Sequence, residues 1–143
     1  LDNGNDILVF QNKHTNRGYV RRDLLTAIGM NNDFTLDSYQ LQASFILIRN
    51  TNYAREFLRK WLKWCEKEEA LIDSDSFIEE YYYNTSHRHD QAILTLLYLQ
   101  NPQGVIVKPK EELREYFLHH RRRWLNYDLL FLLRKKLNEN KNF

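Results

Sequence analysis

Ala43-Ser44-Phe45-Ile46-Leu47-Ile48-Arg49-Asn50-Thr51-Asn52-Tyr53 decides the fold class of this chain. From Ala43 to Ile48 the run is apolar but for Ser44 and is bounded by polar residues, the pattern of a strand covered on both faces. Asn50-Thr51-Asn52 then supplies N-cap side chains. Beyond it Tyr53, Phe57, Leu58, Trp61, Leu62 and Cys65 recur on one face, with Arg55, Glu56, Arg59, Lys60 and Lys63 on the other. A buried strand running into an amphipathic helix over 53–67 is a unit of an α/β protein.

Upstream, residues 6–10 (Asp-Ile-Leu-Val-Phe) form a β-branched apolar run entered from an Asn3-Gly4-Asn5 turn, which predicts a short strand at the edge of a sheet. Residues 11–18 are polar. Leu24, Leu25 and Ile28 give residues 20–28 a helical spacing, stopped by Gly29 and Asn31-Asn32-Asp33. Downstream of a polar, aromatic-rich loop over 73–85, Ser86 is placed to cap a second long helix. Its Ala92, Ile93, Leu94, Leu96, Leu97 and Leu99 leave little polar face, so the helix is predicted to be buried. Asn101-Pro102-Gln103-Gly104 ends it, Val105-Ile106-Val107 resumes as a strand, and Phe117-Leu118 is either a further short strand or a helix end. The expected architecture is α/β, a mixed sheet with packed helices and no internal repeat.

With 143 residues the chain fits one domain, and with four Gly and two Pro it does not read as disordered or as a turn-rich all-β fold. The 21 basic and 19 acidic residues nearly cancel, so the overall charge argues for no nucleic-acid partner; any basic effect is local. Cys65 is the single cysteine, which excludes an intramolecular disulfide and a cysteine zinc cage and suits a reducing, cytoplasmic setting. No apolar run approaches the roughly 18–20 residues of a membrane span. The chain opens at Leu1 without a signal-peptide pattern, which raises the expectation that coding sequence precedes it.

Chemistry concentrates in His87-Arg88-His89-Asp90-Gln91, five polar side chains where an otherwise apolar helix is expected to begin. A helix anchored in a core and polar at its N-terminus suits the mouth of a site. The plainer alternative stays open: Asp90 complements the helix dipole, Arg88 pairs with it, and the histidines are exposed. A metal centre built on His87, His89 and Asp90, as in a nuclease or phosphatase, is disfavoured because that spacing on one helical turn aims the three apart.

From Tyr83 to Leu97 the segment Tyr-Asn-Thr-Ser-His-Arg-His-Asp-Gln-Ala-Ile-Leu-Thr-Leu-Leu resembles the His-Arg-x-Asp-Gln-(Ser/Ala)-(Ile/Leu)-Leu segment of a group of GT-A type glycosyltransferases. The preceding Gln40-Leu41-Gln42-Ala43-Ser44-Phe45-Ile46-Leu47-Ile48-Arg49-Asn50-Thr51, with its helix bearing Trp61-Leu62-Lys63-Trp64-Cys65, is similar to that group's strand and helix upstream of the Asp-Gln pair. The resemblance implies that residues 1–123 form the C-terminal part of a GT-A-like catalytic domain, and that residues 124–143 form a basic amphipathic tail.

It also implies the transfer of a sugar from a nucleotide-diphosphate donor to a glycan or lipid-linked acceptor, as in polysaccharide biosynthesis. Asp90 and Gln91 would be catalytic beside the donor sugar, where a carboxylate and an amide oxygen suit positive charge at the anomeric centre. His87 and Arg88 would face the diphosphate, and Gln42 would contact substrate. A late histidine, His120, would complete a Mn²⁺ or Mg²⁺ shell, and Arg121 would screen the leaving diphosphate.

GT-A enzymes hold that metal through an Asp-x-Asp motif after an earlier strand. Here Asp2-Asn3-Gly4 is only an approach to it, and Asp73-Ser74-Asp75 follows a helix. The expectation is therefore that the nucleotide-binding βαβ portion precedes Leu1. In the tail, Leu125, Leu129, Leu132, Leu133 and Leu137 at helical spacing between Arg121-Arg122-Arg123 and Arg134-Lys135-Lys136 suit peripheral contact with an anionic membrane, or simple docking on the core. A non-catalytic binding or assembly module, with His87 to Gln91 as a helix cap, is the alternative of a different class.

Overall fold

The structure, a computed structural model, describes residues 4–71 and 86–116. Its elements run β1 (Ile7–Thr15), a 3₁₀ turn, α1 (Arg22–Ala27), α2 (Asp33–Asp37), β2 (Tyr39–Ile48), α3 (Asn52–Cys65), α4 (Glu68–Leu71), α5 (His89–Gln100), β3 (Val105–Pro109) and α6 (Lys110–Tyr116). The mixed sheet with packed helices is borne out at that level: among the described residues three strands run in the order β2-β1-β3, with β1 antiparallel to β2 and parallel to β3.

Two strand expectations are corrected. The 6–10 run lies in the central strand, not at an edge, because β3 pairs along its other side from Ile7–Val105 to Gln11–Pro109. That position buries Ile7, Val9 and Phe10 and carries the strand on to Thr15, through residues whose polarity reads as loop. The second correction concerns β2, an edge strand whose buried part is Gln40, Leu41 and Gln42. Its apolar half, expected to be covered on both faces, is the more open one: Leu47 is 44% and Ile48 38% exposed.

The β1–β2 ladder is broken twice. Between the pairs Leu8–Leu47 and Phe10–Gln42, β1 advances two residues and β2 five, so residues 43–46 bulge out of β2. Between Gln11–Leu41 and Thr15–Tyr39, β1 advances four and β2 two, so residues 12–14 bulge out of β1. Bulges bend a strand and re-aim its side chains, and they are enriched beside functional sites.

The helices follow their local signals. Thr51 caps α3, its hydroxyl accepting the Ala54 N–H and donating to Asp6, and α3 buries Ala54 and Phe57 while Trp61, Trp64 and Cys65 pack at the margin of the core. Leu62, expected on the same face, is 59% exposed. In α5 every residue from Ala92 to Leu97 is buried, between α3 and β2. Helix α1 ends as expected at Gly29, left-handed at φ 75°, with Met30 N–H bonded to Leu25 O and Gly29 N–H to Thr26 O, a Schellman arrangement. The Asn-Asn-Asp stop is also a start, because Asn32 Oδ1 accepts the Thr35 N–H and caps α2.

Candidate functional site

A cleft of about 380 Å³ opens where the loop before α5 meets the sheet. Both bulges line it, Asn12 and His14 from β1 and Ala43 and Ser44 from β2, beside Gln42. Ser86 to Gln91 line it from the start of α5, and Lys110 from the start of α6. The cleft lies at the carboxyl ends of the parallel pair β1 and β3, the end of an α/β sheet where ligands bind.

Helix α5 begins later than Ser86 would set it. Its N-cap is Arg88, without a side-chain cap, and Ser86 is exposed with its Oγ 3.5 Å from His87 O. His87 turns inward and is 4% exposed. Its Nδ1 accepts the Arg21 backbone N–H at 3.4 Å, which leaves the proton on Nε2 for Ala70 O at 2.8 Å. Both ring nitrogens thus fasten the loop to α1 and α4. His89 opens the helix at φ 43°, a left-handed conformation that costs a side-chain-bearing residue roughly 1–2 kcal/mol. Strain of this kind concentrates at functional sites.

Arg88 does not pair with Asp90. Its guanidinium stands 4.9 Å above the Tyr19 ring, a cation–π contact. The Asp90 carboxylate is exposed and, among the described residues, has no bonded partner, while its backbone carbonyl is held by Trp61 Nε1–H at 3.0 Å. Its charge reaches Cys65, whose thiol is pushed up first by burial and then by Asp90.

Gln91 is oriented by a relay of amides. Gln40, fully buried, donates to Tyr19 O at 3.5 Å, so its Oε1 is free to accept Gln91 Nε2–H at 2.7 Å. The relay takes up the Gln91 amide nitrogen and leaves its side-chain oxygen without a hydrogen bond among the described residues, at a residue that lines the cleft. One turn on, Thr95 Oγ1 donates to Gln91 O at 2.8 Å and accepts the Leu41 N–H at 3.0 Å, tying α5 to β2 beneath the site. Gln42 is 4% exposed; its Nε2 donates to Ser44 Oγ at 2.6 Å and its Oε1 is unpartnered.

The structure therefore brings Asp90, Gln91, His87, Arg88 and Gln42 to one cleft. His120, Arg121, Asp73-Ser74-Asp75, Phe117-Leu118 and the 124–143 tail lie outside the described residues. Among the described residues no three His, Cys, Asp or Glu side chains converge on a metal position, so these residues do not by themselves fit a Mn²⁺ or Mg²⁺ ion. No helix among them is long and apolar enough to cross a membrane.

Asn12, His14, Ser44 and Lys110 are site residues that sequence reasoning missed. The bulges that deliver the first three leave no periodic trace, whereas Lys110, directly after a strand-ending Pro109, was within reach of a pattern argument. The chain matches no family model, and no curated protein or solved structure matches it significantly.

Proposed function

We propose that this chain belongs to a glycosyltransferase that moves a sugar from a nucleotide-diphosphate donor to a glycan or lipid-linked acceptor. The observation that carries the reading is that Asp90, whose carboxylate has no bonded partner among the described residues, and Gln91, whose amide nitrogen is taken up by the Tyr19–Gln40–Gln91 relay, line the same cleft. Sugar transfer develops positive charge at the anomeric carbon, and an oriented carboxylate and amide oxygen stabilise that charge without reorganising at the moment of reaction. A cleft of about 380 Å³ lies within the ~300–1,000 Å³ common for small-molecule sites. Arg88, permanently charged and forked, suits a phosphate oxygen once it leaves the Tyr19 face. Mn²⁺ or Mg²⁺ enters this reading through the resemblance to GT-A enzymes.

One observation favours a non-catalytic binding module instead: both nitrogens of His87 are spent on backbone groups, as in a purely architectural loop. The two readings separate on Asp90→Asn and Gln91→Ala in the full-length protein. Loss of sugar transfer from both, with melting temperatures unchanged, is the expected result. Retained turnover per folded molecule together with a large stability loss would assign the residues to a helix cap.

A further inference from the structure

The described lining of the cleft carries a net positive charge, and the cation on its β3 side has no counter-ion among the described residues. Helix α6 opens with Glu111 and Glu112, but each already faces another lysine: Lys13 Nζ lies 3.0 Å from Glu111 Oε1, and Lys108 Nζ lies 2.7 Å from Glu112 Oε2. Between these pairs Lys110 lines the cleft and, among the described residues, joins no ion pair. Arg88 lines the cleft too, over the Tyr19 ring. Against these permanent cations stands the single carboxylate of Asp90, and the other titratable groups on the wall are the histidines 14, 87 and 89. In a chain whose basic and acidic residues nearly balance, a cleft lined by two cations and one acid has a local bias toward anions.

Lys110 stands apart from the other charges. Arg88, Asp90 and Gln91 stand at the start of α5, which packs against β2, whereas Lys110 follows β3 on the far side of β1. With strands about 4.8 Å apart, β2 and β3 are about 10 Å apart, a width that a pyranose ring with an exocyclic group bridges. Between them the wall is built of uncharged hydrogen-bonding groups, Asn12, Ser44 and the unpartnered Gln42 Oε1, suited to sugar hydroxyls.

We propose that the cleft takes an acidic sugar, with Lys110 receiving its carboxylate or phosphate group while the ring lies toward Asp90 and Gln91. This inference rests on reading the cleft as a sugar site. The ammonium acts here as a point charge that selects an anionic substituent, and the neighbouring lysines are silent because Glu111 and Glu112 already hold them.

The test is a ¹⁵N-resolved NMR titration of the full chain at low ionic strength with D-glucose, D-glucuronate and inorganic phosphate, repeated on Lys110→Gln and Lys110→Arg. Glucuronate is expected to shift the amides of Asn12, Ser44 and Lys110 with about fivefold higher affinity than glucose, the size of a half-exposed ion pair. Lys110→Gln should remove that preference and Lys110→Arg keep it, with dispersed spectra showing that both variants fold. Equal affinities for the two sugars, or a preference that survives Lys110→Gln, overturn the acidic-sugar inference and leave the sugar site standing. Silence toward both sugars overturns the sugar site and this inference with it. Phosphate binding as tightly as glucuronate while glucose is silent marks a bare anion site and overturns the inference as well.

Discussion

Thr95 is the fastening on which the cleft's geometry depends, and replacing it with valine tests that directly. The two side chains have nearly the same shape, so Thr95→Val leaves no cavity at this fully buried position. It removes the acceptor for the Leu41 N–H, 3.0 Å away, and the donor to Gln91 O, 2.8 Å away. The Gln91 carbonyl sits inside α5, where the main chain already supplies its ladder bond, so its loss is small. Leu41, 1% exposed, has no water to turn to, and a buried donor left unsatisfied costs about 1–3 kcal/mol.

Relief of burying a hydroxyl offsets part of that, so the expected net loss is about 2 kcal/mol. Urea denaturation should show a lower midpoint at unchanged m-value, and hydrogen exchange should show the Leu41 amide losing protection. Thr95→Ser keeps the hydroxyl, loses about 1 kcal/mol for the missing methyl, and should leave Leu41 protected. Stability of Thr95→Val within about 0.5 kcal/mol of the parent, with Leu41 protection intact, would refute the fastening.

Other perturbations have equally definite outcomes. Gly104→Ala places a Cβ 2.7 Å from Tyr53 Cε1 at a backbone φ of 73°, and the Tyr53 ring can swing away only by giving up its hydroxyl's bond to Gln103 O. A loss of about 1–3 kcal/mol in urea denaturation is expected, and a neutral result would contradict the contact. His89→Gly releases the left-handed strain and should raise stability by up to about 1 kcal/mol; a lower melting temperature would mean that the ring contact with His87 outweighs the strain.

At the surface, the Arg17 guanidinium bonded to Asp37 holds that carboxyl below its ordinary value, so Arg17→Ala should move its NMR titration upward. The sign follows from the depression. Asp37's contribution is present above its unfolded pKa and fades as pH falls through the folded one, and the variant should lack that acid-side decline.

Local signals were legible where one residue type dictates one conformation. The Thr51 cap, the Gly29 stop and the apolar residues on either side of Thr95 in α5 could be read residue by residue, because capping geometry and burial depend on near neighbours in the chain. Strand placement could not. Whether Ile7–Phe10 is central or marginal depends on a partner strand almost a hundred residues away, and the 43–48 run stays apolar in sequence although a bulge and an edge position open it.

Site membership divided the same way. Asp90 and Gln91 stand out as polar residues beginning an apolar helix, and the cleft contains them. The opposite wall comes from register shifts, which depend on how two strands pair and leave no mark in either strand alone. His87 shows the limit of residue type as a guide: an imidazole beside a cleft is as well suited to bridging two backbone groups as to touching a ligand, and here it does the former.

Sugar transfer in the Asp90–Gln91 cleft is tested most directly by the release of nucleoside diphosphate from UDP- and GDP-linked hexoses and hexuronates by the full-length protein, with Asp90→Asn alongside. Release from at least one donor is expected, reduced at least a hundredfold in Asp90→Asn, the scale on which a positioned electrostatic group acts. Release from none of the donors above the level of the Asp90→Asn variant, with both proteins folded, would contradict it.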